Sequence, residues 1–218
     1  MYYFLVNQIN IYNVIEIAPE ISLAHVIKRL QPEVLRYIRL FAMAGSIHRG
    51  YKNSSRPSIE YNIVVDISAA HTVFSAPWTY FGLAPLDTTI FAQFDGSLWQ
   101  LFLSYGNQSK HVQLVIDSYT VWYNNGGKRV AALKPFSPEI GTSTMYDVLA
   151  AVLASSYPVA ESVVSVGLPL IVTDIGFTSE DSKKGKIVNS TLDFITSDPY
   201  ASIEVIGKTV LDSIIFSK

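Results

Sequence analysis

The sequence contains no cysteine, which excludes disulfide staples, thiolate nucleophiles and cysteine-ligated zinc or iron–sulfur centres together. It is also short of charge: 16% of its 218 residues are Asp, Glu, Lys or Arg, against about 25% in an average soluble domain. No window of about 18 apolar residues occurs, so no segment is expected to span a membrane. The most apolar stretch, Val163 to Ile175, is broken by Ser165, Gly167, Pro169 and Thr173. The first residues, Met1 to Val6, carry no basic leader, and Asn7, Gln8 and Asn10 follow at once, so no signal peptide is expected. Neither G-x-x-x-x-G-K-[ST] nor G-x-G-x-x-G is present, and with them goes the simplest route to a nucleotide-phosphate loop.

What is there is apolar and aromatic: 49% hydrophobic residues and 12% Phe, Trp and Tyr, a composition that excludes disorder over most of the length. At this size roughly 70% of the unfolded surface can be buried. A surface with so few charges is rich in Ser, Thr, Asn and Tyr, which suits a protein that works against neighbours, since charge keeps proteins apart. No internal repeat, low-complexity tract or linker divides the chain. A single domain over 1–218 is therefore the expectation, with a helical segment about 20–44 and a C-terminal α/β part about 144–218 packed on a central sheet.

Residues 2–17 alternate loosely and read as one or two strands. Leu23, Val26, Ile27 and Leu30, then Val34, Leu35, Ile38 and Ala42, have i, i+3, i+4, i+7 spacing, which predicts helices over about 20–30 and 33–44. Ile59, Tyr61, Ile63, Val65 and Ile67 alternate with polar neighbours as a half-buried strand does. Asp95-Gly96 reads as a hairpin turn between 88–94 and 98–105. Val112, Leu114 and Ile116 fall on one strand face, and Asn124-Asn125-Gly126-Gly127 turns the chain into Val130–Leu133. The fold expected is α+β and β-dominated: an antiparallel meander or sandwich over about residues 59–133, packed with two or three helices. Thr144-x-x-Asp147 predicts a capped helix at about 144–156. Strands are expected over 168–176 and from Ile187 to Phe194, and Asp198-Pro199 starts a last helix or two short strands.

Chemical motifs are few. His25, His48, His71 and His111 stand singly, with no metal-ligand spacing. Gly141-Thr142-Ser143-Thr144-Met145 lacks the last glycine of a nucleophile elbow. Asp66, Asp95, Asp117 and Asp174 are acids that spacing alone does not pair for glycoside-type chemistry. Phe102 to Phe136 loosely resembles the strand pair of ribosome-inactivating N-glycosidases over about a sixth of the chain. That family's helix bearing Glu-x-x-Arg has no counterpart, since Ser162, Val163 and Val164 follow Glu161, and no activity is carried over. Asn53, Asn107 and Asn189 head glycosylation sequons, which matter only in a secreted chain.

Two patterns point outward. Lys28, Arg29, Arg36, Arg39, Arg49, Lys52 and Arg56 are seven basic residues within 29 positions that hold one acid, Glu33, a net +6. The other nine basic and seventeen acidic residues leave −8, which gives the overall −2. This segment is a candidate contact for nucleic acid, another polyanion or an acidic partner, or else a solvated face balanced by acids folded against it. Among the aromatics between Phe74 and Tyr123, Trp78, Tyr80 and Phe81 sit in a Pro-rich loop and are the candidate contact surface. The function expected is non-enzymatic: a structural subunit, most concretely of a viral capsid or virion surface, that packs against copies of itself or partners. A carbohydrate-binding β-sandwich and a hydrolase with a carboxylate-based site are the alternatives. Neither a cofactor nor a metal is expected.

Overall fold

The computed structural model describes residues 10–127, 137–155 and 162–216. In chain order these form β1 (Tyr12–Glu16), α1 (Ile21–Ile27), α2 (Pro32–Leu35), β2 (Ile38–Met43), α3 (Tyr61–Val65), α4 (Ile67–Ser75) and β3 (Tyr80–Ala84). There follow α5 (Leu86–Thr89), α6 (Gly96–Gly106), α7 (Lys110–Trp122), α8 (Val148–Ala154), β4 (Val163–Val172), β5 (Thr178–Glu180), β6 (Lys186–Phe194) and α9 (Pro199–Phe216). The chain divides into two compact units, one of residues 1–89 and 146–193, the other of 90–145 and 194–218.

The first unit is built on a six-stranded sheet of order β1-β2-β3-β6-β4-β5. β1 pairs β2, β2 pairs β3 and β3 pairs β6 in parallel, while β4 and β5 are antiparallel. Successive residues of a strand face opposite sides of a sheet. Leu40 and Ala42 of β2, Phe81 and Leu83 of β3, Leu170 and Val172 of β4 and Val188 of β6 accordingly share one core with Ala24 of α1 and Ala69, Ala70, Val73 and Phe74 of α4. The intervening Phe41, Met43 and Ala84 are buried too, as are Leu149, Ala150 and Val152 of α8, and Asn13 of β1 donates to the α8 carbonyl of Ala154 at 2.9 Å. β2 and β3 are therefore covered on both faces, as parallel strands between helix layers are.

This overturns the expected β-dominated sandwich. Most of residues 59–133 lying in described structure are helical, and β3 is the one strand among them. The alternating apolar residues 59–67 also contain an i, i+4 set, and two acids decide between the readings. Glu60 accepts from the Asn62 and Ile63 amides at 2.9 and 3.3 Å, and Asp66 from that of Ala69 at 2.9 Å, so each caps a helix N-terminus. Asp95-Gly96 opens α6 rather than turning a hairpin: Asp95 is the N-cap residue and Gly96 takes φ +50°. Ser109 caps α7, whose buried residues are Val112, Ile116 and Tyr119 at helical spacing, while Leu114 is 63% exposed. Asn124 and Asn125 extend the helix into a wider turn that Gly126 breaks at φ +143°, and Val130–Leu133 lie outside the described residues. Aromatic and β-branched enrichment, which suggested strands, serves buried helices equally well here. The opposite error occurs at 38–43, a strand whose last four residues, Leu40 to Met43, are buried on both faces although its spacing also fits a helix.

The second unit packs α6, α7 and α9. Trp99 and Phe102 are almost wholly buried and their rings lie 6.0 Å apart. Gly207 of α9 brings its backbone so close to Leu98 that a Cβ there would lie 2.4 Å from Leu98 Cδ2.

Candidate active site

In open α/β sheets, ligands bind beyond the carboxyl ends of the parallel strands, in the crevice where loops from adjacent strands part. Three such ends lie side by side. β1 ends on Glu16 and leads to Glu20. β2 leads into the loop 44–60. β3 leads directly into α5, which carries Asp87.

Two buried carboxylates shape the middle loop. Asp87 accepts from the backbone amides of Ile47, His48 and Arg49 at 2.9, 2.8 and 3.1 Å. Glu60 accepts from the amide of Gly45 at 3.1 Å, in addition to its own helix-capping bonds. Gly45 adopts φ +75°, a left-handed conformation that favours glycine. The Ser46 hydroxyl donates to the Arg49 carbonyl and accepts from the Ser58 amide, each at 2.8 Å, which closes the loop. Asn62, buried beside Glu60, donates to the Met43 carbonyl at the end of β2 at 2.9 Å.

Glu16, Glu20 and Glu60 form the electrostatic centre. Glu20 is fully buried and neither of its carboxylate oxygens has a hydrogen-bond partner among the described residues. Burial, reinforced by the charges of Glu16 and Glu60, pushes its pKa up to about 9, so it is protonated at neutral pH. Desolvation raises the half-buried Glu16 to about 7. Glu60 is also raised by burial, against the lowering effect of the amides and the Tyr51 hydroxyl bonded to it. Tyr51 donates to Glu60 at 3.4 Å and accepts from the Tyr61 amide at 3.0 Å. Its own pKa rises to about 12 through burial and the Glu60 charge. The Tyr51 ring meets that of Tyr146 edge-on at 6.1 Å. Asp147 follows at the N-cap of α8, where partial desolvation raises its carboxyl above the ordinary range. Thr144 is not the cap of that helix, contrary to the capping-box spacing. The ensemble can pass protons near neutral pH through Glu16 and donate hydrogen bonds from a neutral Glu20. Among the described residues, no three His, Asp or Glu side chains are grouped to hold a metal ion.

The residues singled out from sequence are dispersed. Lys28 and Arg29 are exposed at the end of α1. Arg36 precedes β2, and Arg39 in β2 acts electrostatically on Tyr80. Arg49 donates to Asn53 Oδ1 at 3.1 Å in the loop that also holds Lys52 and Arg56. Trp78 and Tyr80 are half-buried, whereas Phe81 is core and packs edge-on against Phe74 at 5.1 Å. Of the four aspartates weighed above, Asp66 caps α4, Asp95 precedes α6, Asp117 accepts from Gln113 at 2.7 Å and Asp174 lies 3.8 Å from His71. The acids that gather are glutamates up to 44 positions apart (Glu16, Glu20, Glu60), and no local spacing links them. The one signal on the page was Glu60-Tyr61-Asn62, an acid and an amide flanking an aromatic, which strand alternation absorbed.

Solved structures share this fold. An inosine-uridine preferring nucleoside hydrolase from Bacillus anthracis superposes with TM-score 0.60 at 16% identity, over 94% of this chain and 62% of its own. An inosine-guanosine nucleoside hydrolase gives 0.63 at 15%, over 91% and 62%. A plant nucleoside hydrolase gives 0.57 at 13%, over 91% and 61%. The chain thus spans about three-fifths of the length of these structures. No curated protein matches it in sequence. The capsid or virion subunit expected from composition is overturned with the sandwich it rested on: a chain poor in charge and catalytic motifs also describes an α/β fold whose acids converge only in three dimensions. The family model for inosine-uridine preferring nucleoside hydrolases matches residues 4–210, nearly the whole sequence, and the chain belongs to that family.

Proposed function

We propose that the chain hydrolyses the N-glycosidic bond of a ribonucleoside, with its reaction centre at Glu16, Glu20 and Glu60. The observation that carries this is a fully buried carboxyl, Glu20, under the charges of Glu16 and Glu60 beyond the carboxyl ends of parallel strands, in a chain of this family. The C1′–N bond breaks, water supplies the new C1′–O bond and keeps one proton as the C1′ hydroxyl, its other proton passes to the enzyme's base, and the departing nucleobase takes up a proton from solvent. Glu16, poised near neutrality and half open to solvent, accepts the water's proton. Glu60 and Asn62, buried side by side at the N-terminal turn of α3, bond to Gly45 and Met43 and so hold the end of β2 and the start of loop 44–60 in position beneath the substrate. Glu20, neutral, donates a hydrogen bond.

The purified chain is incubated with inosine and with uridine, and free ribose is measured by its reducing end. The expected result is ribose release that falls by about two orders of magnitude or more in Glu60→Gln, the scale of a lost positioned polar group. No release above the uncatalysed rate from either nucleoside would sink the proposal. Self-association is a separate proposal, supported by the outer strand β1 and its flanks, where Ile11, Tyr12, Ile15 and Ile17 are exposed. Light scattering that finds a monomer at every concentration would dispose of it.

A further inference from the structure

The opposite edge of the same sheet carries a second feature, which does not depend on the hydrolase reading. β3 begins at Tyr80, β6 at Lys186 and β2 just after Arg36, so these residues mark the amino ends of adjacent parallel strands, while Glu16 lies at a carboxyl end. Between them is a cavity of about 480 Å³ lined by Arg36, Phe74, Trp78, Tyr80, Lys186 and Asn189, among others. This lies within the range of pockets that hold small organic ligands, about 300–1,000 Å³.

Its chemistry is uneven in a definite way. Trp78 donates its indole Nε1–H to the Val73 carbonyl at 2.8 Å, so the ring is held in place before any ligand arrives, and a ring already ordered costs less entropy to bind against. Phe74 packs on Phe81 and Tyr80 on Phe41 at 5.4 Å, so both rings are backed by core. The guanidinium of Arg36 and the ammonium of Lys186 are exposed, and neither has a carboxylate within ion-pair distance among the described residues, unlike Lys208, which meets Glu204 at 2.8 Å. Arg39 adds a third positive charge beside Tyr80. The lining thus offers aromatic surface, an amide at Asn189 and positive charge, and it includes no acid.

Aromatic faces bind flat rings, and Arg with Lys binds phosphate. We propose that this amino-edge cavity is a nucleotide-binding site, in which the base rests against Trp78 and Tyr80 and the phosphate is held by Arg36 and Lys186. It draws together, with Arg36 from the basic segment and Trp78 and Tyr80 from the Pro-rich aromatic stretch, residues that the sequence marks as separate features.

The probe is adenosine 5′-monophosphate, titrated calorimetrically into the purified chain at low and high salt, with adenosine and inorganic phosphate titrated separately. Saturable binding that weakens with salt is expected, about tenfold or more tighter than either fragment, since a charged hydrogen-bonded contact is worth about that much. Arg36→Ala with Lys186→Ala is expected to weaken it by at least about tenfold. Both side chains are exposed, so the fold survives their removal, and an unchanged circular dichroism spectrum checks this. Glu60→Gln, at the other edge, is expected to bind within about twofold of the unaltered chain. Absence of binding overturns the proposal, as does adenosine binding equal to that of the monophosphate. Loss in Glu60→Gln with retention in the double variant also overturns it, by placing the nucleotide at the carboxylate edge.

Discussion

At the scale of single residues, the chain's unusual chemistry is concentrated in acids whose carboxyls burial pushes above the ordinary range. A carboxyl whose folded pKa is raised binds its proton more tightly when folded, so it costs nothing below the unfolded value of 4.5 and destabilises progressively as pH climbs toward the folded value of about 9. Glu20→Gln keeps the shape and removes the titration. We expect it to be more stable than the unaltered chain, by a margin absent near pH 4.5 and growing by at most about 1.4 kcal/mol per pH unit above it. Urea unfolding at several pH values reads the margin, and one independent of pH contradicts the assignment. Glu16 makes a kinetic prediction. As the base it must lose its proton, so ribose release should rise as pH passes through about 7. Glu16→Gln should lower the rate by about 10²-fold or more and flatten that limb. A variant that keeps the limb shows that another group is the base. None of this was legible in the sequence. Glu20 reads as an ordinary residue before a helix, and its burial depends on chain it does not adjoin.

At the scale of elements, the instructive failure is α7. Val112, Leu114 and Ile116 satisfy a strand's alternation, and Val112, Ile116 and Tyr119 satisfy a helix's period. Only packing chooses between them. The choice is measurable, because the two readings assign Leu114 opposite surroundings. Leu114→Ser should change stability by less than about 0.5 kcal/mol, as exposed substitutions do, while Ile116→Ala should cost about 2–4 kcal/mol through the cavity it leaves. Equal and large losses at both positions would restore the strand. Elements with decisive local chemistry were readable in advance, α1 through its spacing and β6 after its charged turn, whereas from Asp198-Pro199 onward helix and two short strands stood open until packing chose the helix. Where propensity and period conflicted, as at 38–43 and 59–67, the reading went astray in both directions, since a doubly buried strand and a buried helix expose the same apolar composition to inspection.

At the scale of the whole molecule, the parallel strands β2 and β3 are the shared support of both edges of the sheet: the carboxylates and loop 44–60 at one, the aromatic cavity at the other. Leu83 is fully buried in β3. Leu83→Ala should cost about 2–5 kcal/mol and, by loosening the common support, weaken chemistry at the carboxyl edge and binding at the amino edge together. Unfolding and the two functional assays check this, and a variant that loses stability while keeping both functions shows the edges to be supported independently. The sequence by itself determined that the chain folds around a large apolar core, that cysteine chemistry is excluded and that its positive charge is concentrated in one segment, because these follow from composition and local order. It also marked some elements, α1 and β6 among them, but α3, α6 and α7, each with an N-cap residue of its own, read as strands. Only the tertiary structure decided that the sheet is largely parallel, that three distant glutamates share one desolvated centre, and that Arg36 and Lys186 flank the same rings. Each of these depends on strands far apart in sequence lying side by side, and on the loss of water that brings distant groups within electrostatic reach.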